Sequence, residues 1–193
     1  MILKHSLAVR PGVVLLMALM AATRFGHFGS AVDLPDASLA VFFGAGLWLG
    51  GRYLLAALVA EAVMIDYLAI SQFAVSDFCI SPAYGFLLVG YVVMWLAGGY
   101  CRRLPLLSTA NSLKQLLVLA IATSLAFLIS NGSFFWLAEQ VSNKSWAHYA
   151  DNLATYFPAY FSVTVLYGIA ITVVRELAKA LWTQAGKAAR HSL

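Results

Sequence analysis

Charged residues are scarce in this chain of 193 residues. Lys and Arg total 12 and Asp and Glu total 8, so 10% of the residues are charged, whereas 62% are hydrophobic. An average soluble domain contains about 25% charged residues. This composition, with a mean hydropathy of +0.84, excludes an ordinary soluble domain and indicates that lipid is the main solvent of the chain.

Nucleotide-hydrolysis motifs are missing too, because no GxxxxGK[ST] run occurs, and we therefore predict no nucleotide site. Cysteine is limited to Cys79 and Cys101, one at each end of a predicted helix. That helix is about 27 Å long, whereas bridged cysteines need Cα atoms within about 7 Å of each other. Cys79 is thus predicted to be a free thiol.

Six apolar stretches are long enough to form helices with little sequence left for a soluble domain, which predicts one membrane domain over residues 1–193. The first stretch has a basic flank but no small-residue cleavage site after it, so we interpret it as a retained helix. The predicted helices cover residues 7–26, 36–50, 52–70, 83–100, 113–137 and 152–176, and a polar tail follows the last.

Basic residues segregate when these six spans alternate across a membrane. One side holds ten of them, and only Arg24 and Lys144 fall on the other. The positive-inside rule makes the basic side, with both termini, cytoplasmic. The net charge of +4 is therefore explained by topology, and no nucleic-acid partner is expected.

The outer loops are the candidate site because they contain unusual residues. A cysteine on an oxidising face, Cys79, is either a small apolar filler or a soft ligand for a metal. His27 either makes ordinary hydrogen bonds or offers an imidazole nitrogen to the same metal. One Cys and one His are too few for a structural zinc site, which needs four ligands, but they suffice as axial ligands of a metal held in a macrocycle.

Ionisable residues within the third predicted helix also suggest function. Asp66 lies near its outer end, where such groups tend to mark a ligand or ion pathway. Glu61 lies deeper and is expected to be protonated, to pair with a polar partner or to face a cavity. Tyr84 is five residues after Cys79 and is either a pocket residue or part of the interfacial aromatic belt. The same two interpretations hold for Trp146 in the third outer loop.

Ala18 and Ala22 lie four residues apart in the first predicted helix, a small-xxx-small pattern that allows another helix to approach closely. No repeat relates the two halves of the chain, so the inverted-repeat signature of many secondary transporters is not found.

The length, the six helices, the Ala18 and Ala22 pair and the sequence SDFCISPAY after the third helix together resemble the BtuM family of bacterial cobalamin transporters. That family is similar to the S-components of energy-coupling factor transporters. The resemblance implies an S-component-like fold of six transmembrane helices in the bacterial inner membrane, and a corrinoid pocket open to the periplasm.

Site residues follow from the resemblance. It implies that Cys79 ligates cobalt as a thiolate and assists decyanation of cyanocobalamin, and that Asp66 and Tyr84 line the pocket. His27 is carried over as a contact or second axial ligand. Ala18 and Ala22 correspond to the docking surface for the coupling subunit of an energy-coupling factor module with its ATPases, although members of this family often act alone.

Three alternatives stay open at the level of the sequence. The chain is also compatible with an S-component for another vitamin, with a membrane-embedded enzyme that uses Cys79 as its nucleophile, and with a sensor whose outer loops bind a protein. Ligand identity separates these functions.

Overall fold

The computed structural model describes residues 11–26, 34–73, 82–104, 109–139, 141–142 and 144–191. Within these ranges the chain contains helices and no strand, which confirms the all-α prediction. The six helices are α1 (Pro11–Gly26), α2 (Ser38–Trp48), α3 (Arg52–Phe73), α4 (Tyr84–Cys101), α5 (Thr109–Leu137) and α6 (Trp146–His191).

Four of these helices, α3 to α6, are long and apolar enough to cross a membrane, whereas α1 and α2 are shorter apolar helices. Their exposed surface carries large apolar side chains, for example Val63, Met64, Leu117 and Leu166. Such surfaces are stable only in contact with lipid or another apolar partner. The chain is therefore a multi-pass membrane protein.

Helix α2 lies at the centre of the bundle. All residues from Ser38 to Leu47 are buried, and α2 packs against α1, α3, α4 and α6. A helix that is buried on every side shows no amphipathic stripe, because it has no solvent or lipid face to distinguish. With 11 residues, α2 is about 17 Å long, so it is a core helix surrounded by longer ones.

The contact between α2 and α4 depends on two glycines. A Cβ atom on Gly46 would overlap the carbonyl oxygen of Trp95, and a Cβ on Gly98 would overlap that of Phe43. Each glycine thus lets one backbone lie directly on the other, the arrangement that small residues make possible in membrane helix pairs.

Successive helices run in opposite directions, as contacts at their ends show. The start of α5 meets the end of α4, where the Gln115 side chain donates to the Cys101 carbonyl oxygen at 3.4 Å. The end of α5 meets the start of α6, where the Phe135 and Tyr149 ring centroids are 5.0 Å apart. The contacts of α1 to α4, described below, alternate in the same way.

Helix α6 differs from the prediction at both ends. It begins at Trp146, so Trp146, His148 and Tyr149 lie in its first turn and not in a loop, and it continues to His191 where a polar tail is predicted. The prediction is wrong here because hydropathy identifies only the apolar segment that crosses the membrane, whereas the length of a helix also depends on the helix propensity of the residues on either side of that segment. The segment after Arg175 is rich in Ala and also contains Leu and Lys, residues that favour helix in water as well as in lipid.

Candidate functional site

A buried guanidinium group forms the centre of a polar cluster at one end of the bundle. Arg24 lies in the last turn of α1 and is only 6% exposed. Around it lie a residue that precedes α2 and residues of α2, α3 and α4. We call this cluster the Arg24 network, and its members are Arg24, Asp36, Ser38, Asp66, Tyr84 and Tyr91.

The strongest contact in the network joins α1 to α3. Arg24 Nε donates to Asp66 Oδ1 at 2.7 Å, and Nη2 donates to Asp66 Oδ2 at 2.5 Å. This is a bidentate pair of parallel hydrogen bonds, the geometry in which arginine holds a carboxylate most firmly. It fixes the orientation of both side chains.

Two tyrosines bring α4 into the network. The Tyr84 hydroxyl donates to Asp66 Oδ2 at 2.5 Å. The Tyr91 hydroxyl accepts a hydrogen bond from Arg24 Nη1 at 2.7 Å, and its ring stacks on Phe42 of α2 with centroids 4.1 Å apart. Tyr91 therefore joins the polar network to the apolar core.

The start of α2 provides the remaining partners. Asp36 Oδ1 accepts from the Ser38 amide at 2.9 Å and from the Ser38 hydroxyl at 2.6 Å. The Ser38 oxygen in turn accepts from Arg24 Nη1 at 3.0 Å. Thr23 Oγ1 accepts a hydrogen bond from the Ala37 amide at 3.1 Å. A side chain of α1 therefore satisfies a backbone donor at the N-terminal end of α2 that would otherwise be unpaired.

The two carboxylates of the network share one guanidinium group. Asp36 Oδ2 lies 3.5 Å from Arg24 Nη1, and its side chain is 32% exposed, whereas the Asp66 side chain is 9% exposed. Two carboxylates and one guanidinium give a formal charge of −1. Buried ions persist only when they are paired and well hydrogen-bonded, and Asp66 is paired with Arg24 and accepts three hydrogen bonds.

The structure brings together two of the predicted site residues and places two others elsewhere. Asp66 and Tyr84 share a hydrogen bond. Ala18 and Ala22 are exposed on the outer surface of α1, away from this contact. The predicted metal ligands Cys79 and His27 lie outside the described residues.

Sequence reasoning did not identify Arg24 as a site residue, and it did not identify Asp36, Ser38 or Tyr91. A signal was present, because Arg24 is one of only two basic residues on the acidic side of the chain. A lone cation next to an apolar helix needs a partner. The sequence does not say which of several nearby acids provides it.

Metal-binding capacity in the described part of the chain is limited. No group of three or more His, Cys, Asp or Glu side chains there is placed to hold a metal ion.

No protein-family model matches the chain. No curated protein matches it either.

Proposed function

We propose that this protein binds cobalamin or a related corrinoid and takes it up across the bacterial inner membrane. One observation carries the proposal: Asp66 of α3 and Tyr84 of α4, the two described residues that the resemblance to the BtuM family assigns to a pocket, are hydrogen-bonded to each other at 2.5 Å. They are 18 residues apart in sequence, so this proximity is a property of the fold.

The candidate cobalt ligands are close to the network in sequence. Cys79 is five residues before Tyr84, and His27 is three residues after Arg24. In the proposal, the Cys79 thiolate binds cobalt on one axial face and His27 contacts the other. Thiolate is a soft, polarisable ligand suited to such a metal, and metal binding favours its deprotonated form.

Decyanation follows from the same ligand exchange. The Cys79 sulfur donates an electron pair to cobalt, and cyanide leaves with the electron pair of its own bond to cobalt. The oxidation state of cobalt does not change in this step. Cobalt is part of the transported substrate and not a resident cofactor of the protein.

The Arg24 network supports a role in holding the substrate. A carboxylate has about four lone-pair positions, and Asp66 uses three for Arg24 and Tyr84. The position that is left can accept a hydrogen bond from an amide group on the rim of a corrinoid. Because Arg24 fixes the carboxylate in advance, the substrate pays little of the entropy needed to order it.

In the proposal, the Arg24 network lies on the periplasmic side of the membrane. The described basic residues Arg52, Arg102, Arg103, Lys114 and Arg175 lie toward the opposite end of the bundle, which the positive-inside rule makes cytoplasmic. All six helices then cross or enter the membrane, with both termini in the cytoplasm and an S-component-like arrangement.

The proposal also includes a protein partner that binds to α1. Ala18 and Ala22 are both exposed and present a small-residue surface to which another membrane helix can pack closely. The expected partner is the coupling subunit of an energy-coupling factor module, which brings its ATPases with it. The alternative is that the protein takes up its substrate without such a module.

The ultraviolet–visible spectrum of the purified protein with bound cyanocobalamin tests the proposed function. We expect a cobalt absorption band shifted from that of free cyanocobalamin in the wild type and an unshifted band in Cys79→Ala. The matched control is Cys101→Ala, because Cys101 is a free, buried cysteine at the other end of α4 and its loss should leave the shift intact.

Two other results would change the proposed function. A bound corrinoid with the same shift in Cys79→Ala would exclude thiolate ligation and keep corrinoid binding. A protein that binds no corrinoid would contradict the proposed function and favour the S-component for another vitamin, the thiol enzyme or the sensor.

A further inference from the structure

Helix α3 has a second buried carboxylate that the Arg24 network does not use. The inward face of α3 is a single stripe at helical spacing, made of Leu58, Glu61, Ala62, Ile65, Asp66 and Ala69. Glu61 lies near the middle of the 22-residue helix. It therefore lies at the depth where a charged group is most costly in a bilayer.

Glu61 is buried without a complete set of partners. The residue is 9% exposed, and its Oε2 atom is fully buried and has no hydrogen-bond partner. An ionised carboxylate in this position would lose its hydration with nothing to replace it. Asp66, five residues further along the same stripe, accepts three hydrogen bonds, two of them from the Arg24 guanidinium.

No cation on the helices that pack against α3 is available for Glu61. Arg24 is the only Lys or Arg in α1, α2 and α4, and its guanidinium group is bound to Asp66, Ser38 and Tyr91. On α3 itself, Arg52 is nine residues away, about 14 Å along the helix axis, and is exposed.

The other ionisable side chains on these helices cannot carry a positive charge. Helix α2 contains none over Ser38–Trp48, and α4 contains Tyr84, Tyr91, Tyr100 and Cys101. The two tyrosines of the network bond Asp66 and Arg24. None of these groups supplies a positive charge, so the helices packed against α3 provide no cation for an ionised Glu61.

We propose that Glu61 is a proton-binding site and that its proton couples corrinoid uptake to the proton gradient. A proton fits this position better than a metal cation, because hard cations take six or more oxygen ligands, whereas one carboxylate oxygen suffices for a proton. The inference rests on the proposed uptake function. Glu61 takes up a proton from water on one side of the membrane as its carboxylate becomes the neutral acid, and it releases that proton to water on the other side.

The test uses the full-length protein reconstituted in lipid vesicles, with two measurements. Infrared spectra report the C=O stretching band of a protonated carboxyl group and do not require a corrinoid. Uptake of cyanocobalamin with and without an inward proton gradient reports coupling. The variants are Glu61→Gln, which keeps the shape and cannot release a proton, Glu61→Asp, which keeps the carboxyl group, and the exposed control Glu139→Gln.

We expect the band in the wild type, Glu61→Asp and Glu139→Gln, and its loss in Glu61→Gln. We also expect stimulation of uptake by the gradient in the first three proteins and none in Glu61→Gln, which should still bind cyanocobalamin. Retention of the band by Glu61→Gln would overturn the proton site, whatever the substrate.

The remaining outcomes separate this inference from the proposed function. Wild-type uptake that is insensitive to the gradient would overturn coupling and leave cobalamin uptake standing. A wild-type protein that binds no cyanocobalamin would overturn both coupling and the proposed function, while the infrared band would still establish whether Glu61 binds a proton. If Glu61→Gln fails to fold, Glu61→Asp provides the test of coupling. This variant keeps a carboxyl group that can bind a proton, so retention of the infrared band with loss of the stimulation by the gradient would contradict proton coupling through Glu61.

Discussion

At the level of single residues, the pairing of Arg24 with Asp66 explains how charged side chains can be stable inside an apolar helix bundle. Each charge is held by an ion of opposite sign, and hydroxyl groups occupy further positions on both. Such a pair adds little net stability compared with apolar packing, but breaking it leaves one buried charge uncompensated.

Asp66→Asn is therefore expected to lower the free energy of unfolding by about 3–5 kcal/mol. The amide nitrogen would point at donors of Arg24 or Tyr84, and the Arg24 charge would lose its closest partner. Unfolding of the purified protein in detergent by a chemical denaturant measures the change.

Asp36→Asn is the matched control for this prediction. Its carboxylate is 3.5 Å from Arg24 and partly exposed, and an asparagine oxygen can still accept from Ser38. The expected cost is about 0–1 kcal/mol, as for exposed ion pairs. Equal losses in the two variants would contradict the assignment of Asp66 as the main partner of Arg24.

Residue types identified part of this cluster before the fold was known. Asp66 attracts attention because a carboxylate inside an apolar helix is rare. Arg24 and Asp66 are 42 residues apart, and no periodicity links them. The pairing is decided by the way α1 packs against α3, so only the structure could reveal it.

At the scale of helices, the contact between α2 and α4 depends on backbone proximity. Gly98→Ala is expected to reduce stability by about 1–3 kcal/mol or more, because the new Cβ meets the rigid backbone of Phe43 and not a movable side chain. Thermal unfolding of the protein in detergent checks this expectation.

Gly99→Ala is the matched control, since a Cβ at that position has no atom within 4 Å. Replacing a helical glycine by alanine without a clash should raise stability by about 0.5–1 kcal/mol. Opposite signs for the two neighbouring substitutions would confirm that backbone contact limits position 98; losses of similar size would refute it.

Helix positions were largely predictable from hydropathy, because an apolar run that must bury its backbone polar groups has few choices other than a helix. Their ends were less so. The first turn of α6 contains Trp146, which is 75% exposed and packs on Trp136 with centroids 4.9 Å apart. This aromatic contact between helices is not visible in a hydropathy profile.

At the scale of the whole molecule, α6 is the longest element. Its 46 residues correspond to about 69 Å, more than twice the hydrocarbon thickness of about 30 Å. A buried stripe of Thr164, Gly168, Ile171 and Arg175 packs this helix on the bundle. Beyond Arg175 the described side chains are mostly exposed, so the last part of α6 extends past the packed core.

Topology gives a prediction at the same scale. In a background without native cysteines, Ser142→Cys between α5 and α6 should react with a membrane-impermeant maleimide in intact cells. Thr183→Cys near the end of α6 should react only after the membrane is opened, because the positive-inside rule predicts that the basic side is cytoplasmic. Both positions are exposed, so burial does not limit the reaction.

The reverse pattern of labelling would mean that the protein has the opposite orientation in the membrane, with the Arg24 network on the cytoplasmic side. Labelling of both positions in intact cells would mean that α6 does not cross the membrane as a single span.

Composition and residue order are enough to predict the lipid environment, the helical class and the segregation of charge, because these depend on sums over many residues that neighbouring structure cannot reverse. The packing of the helices, in contrast, makes α2 a short core helix, pairs Arg24 with Asp66, and leaves Glu61 with no cation among the described residues of the helices around it. Those features depend on which helix faces meet, and helix contacts are set by close packing between residues that are distant in the chain.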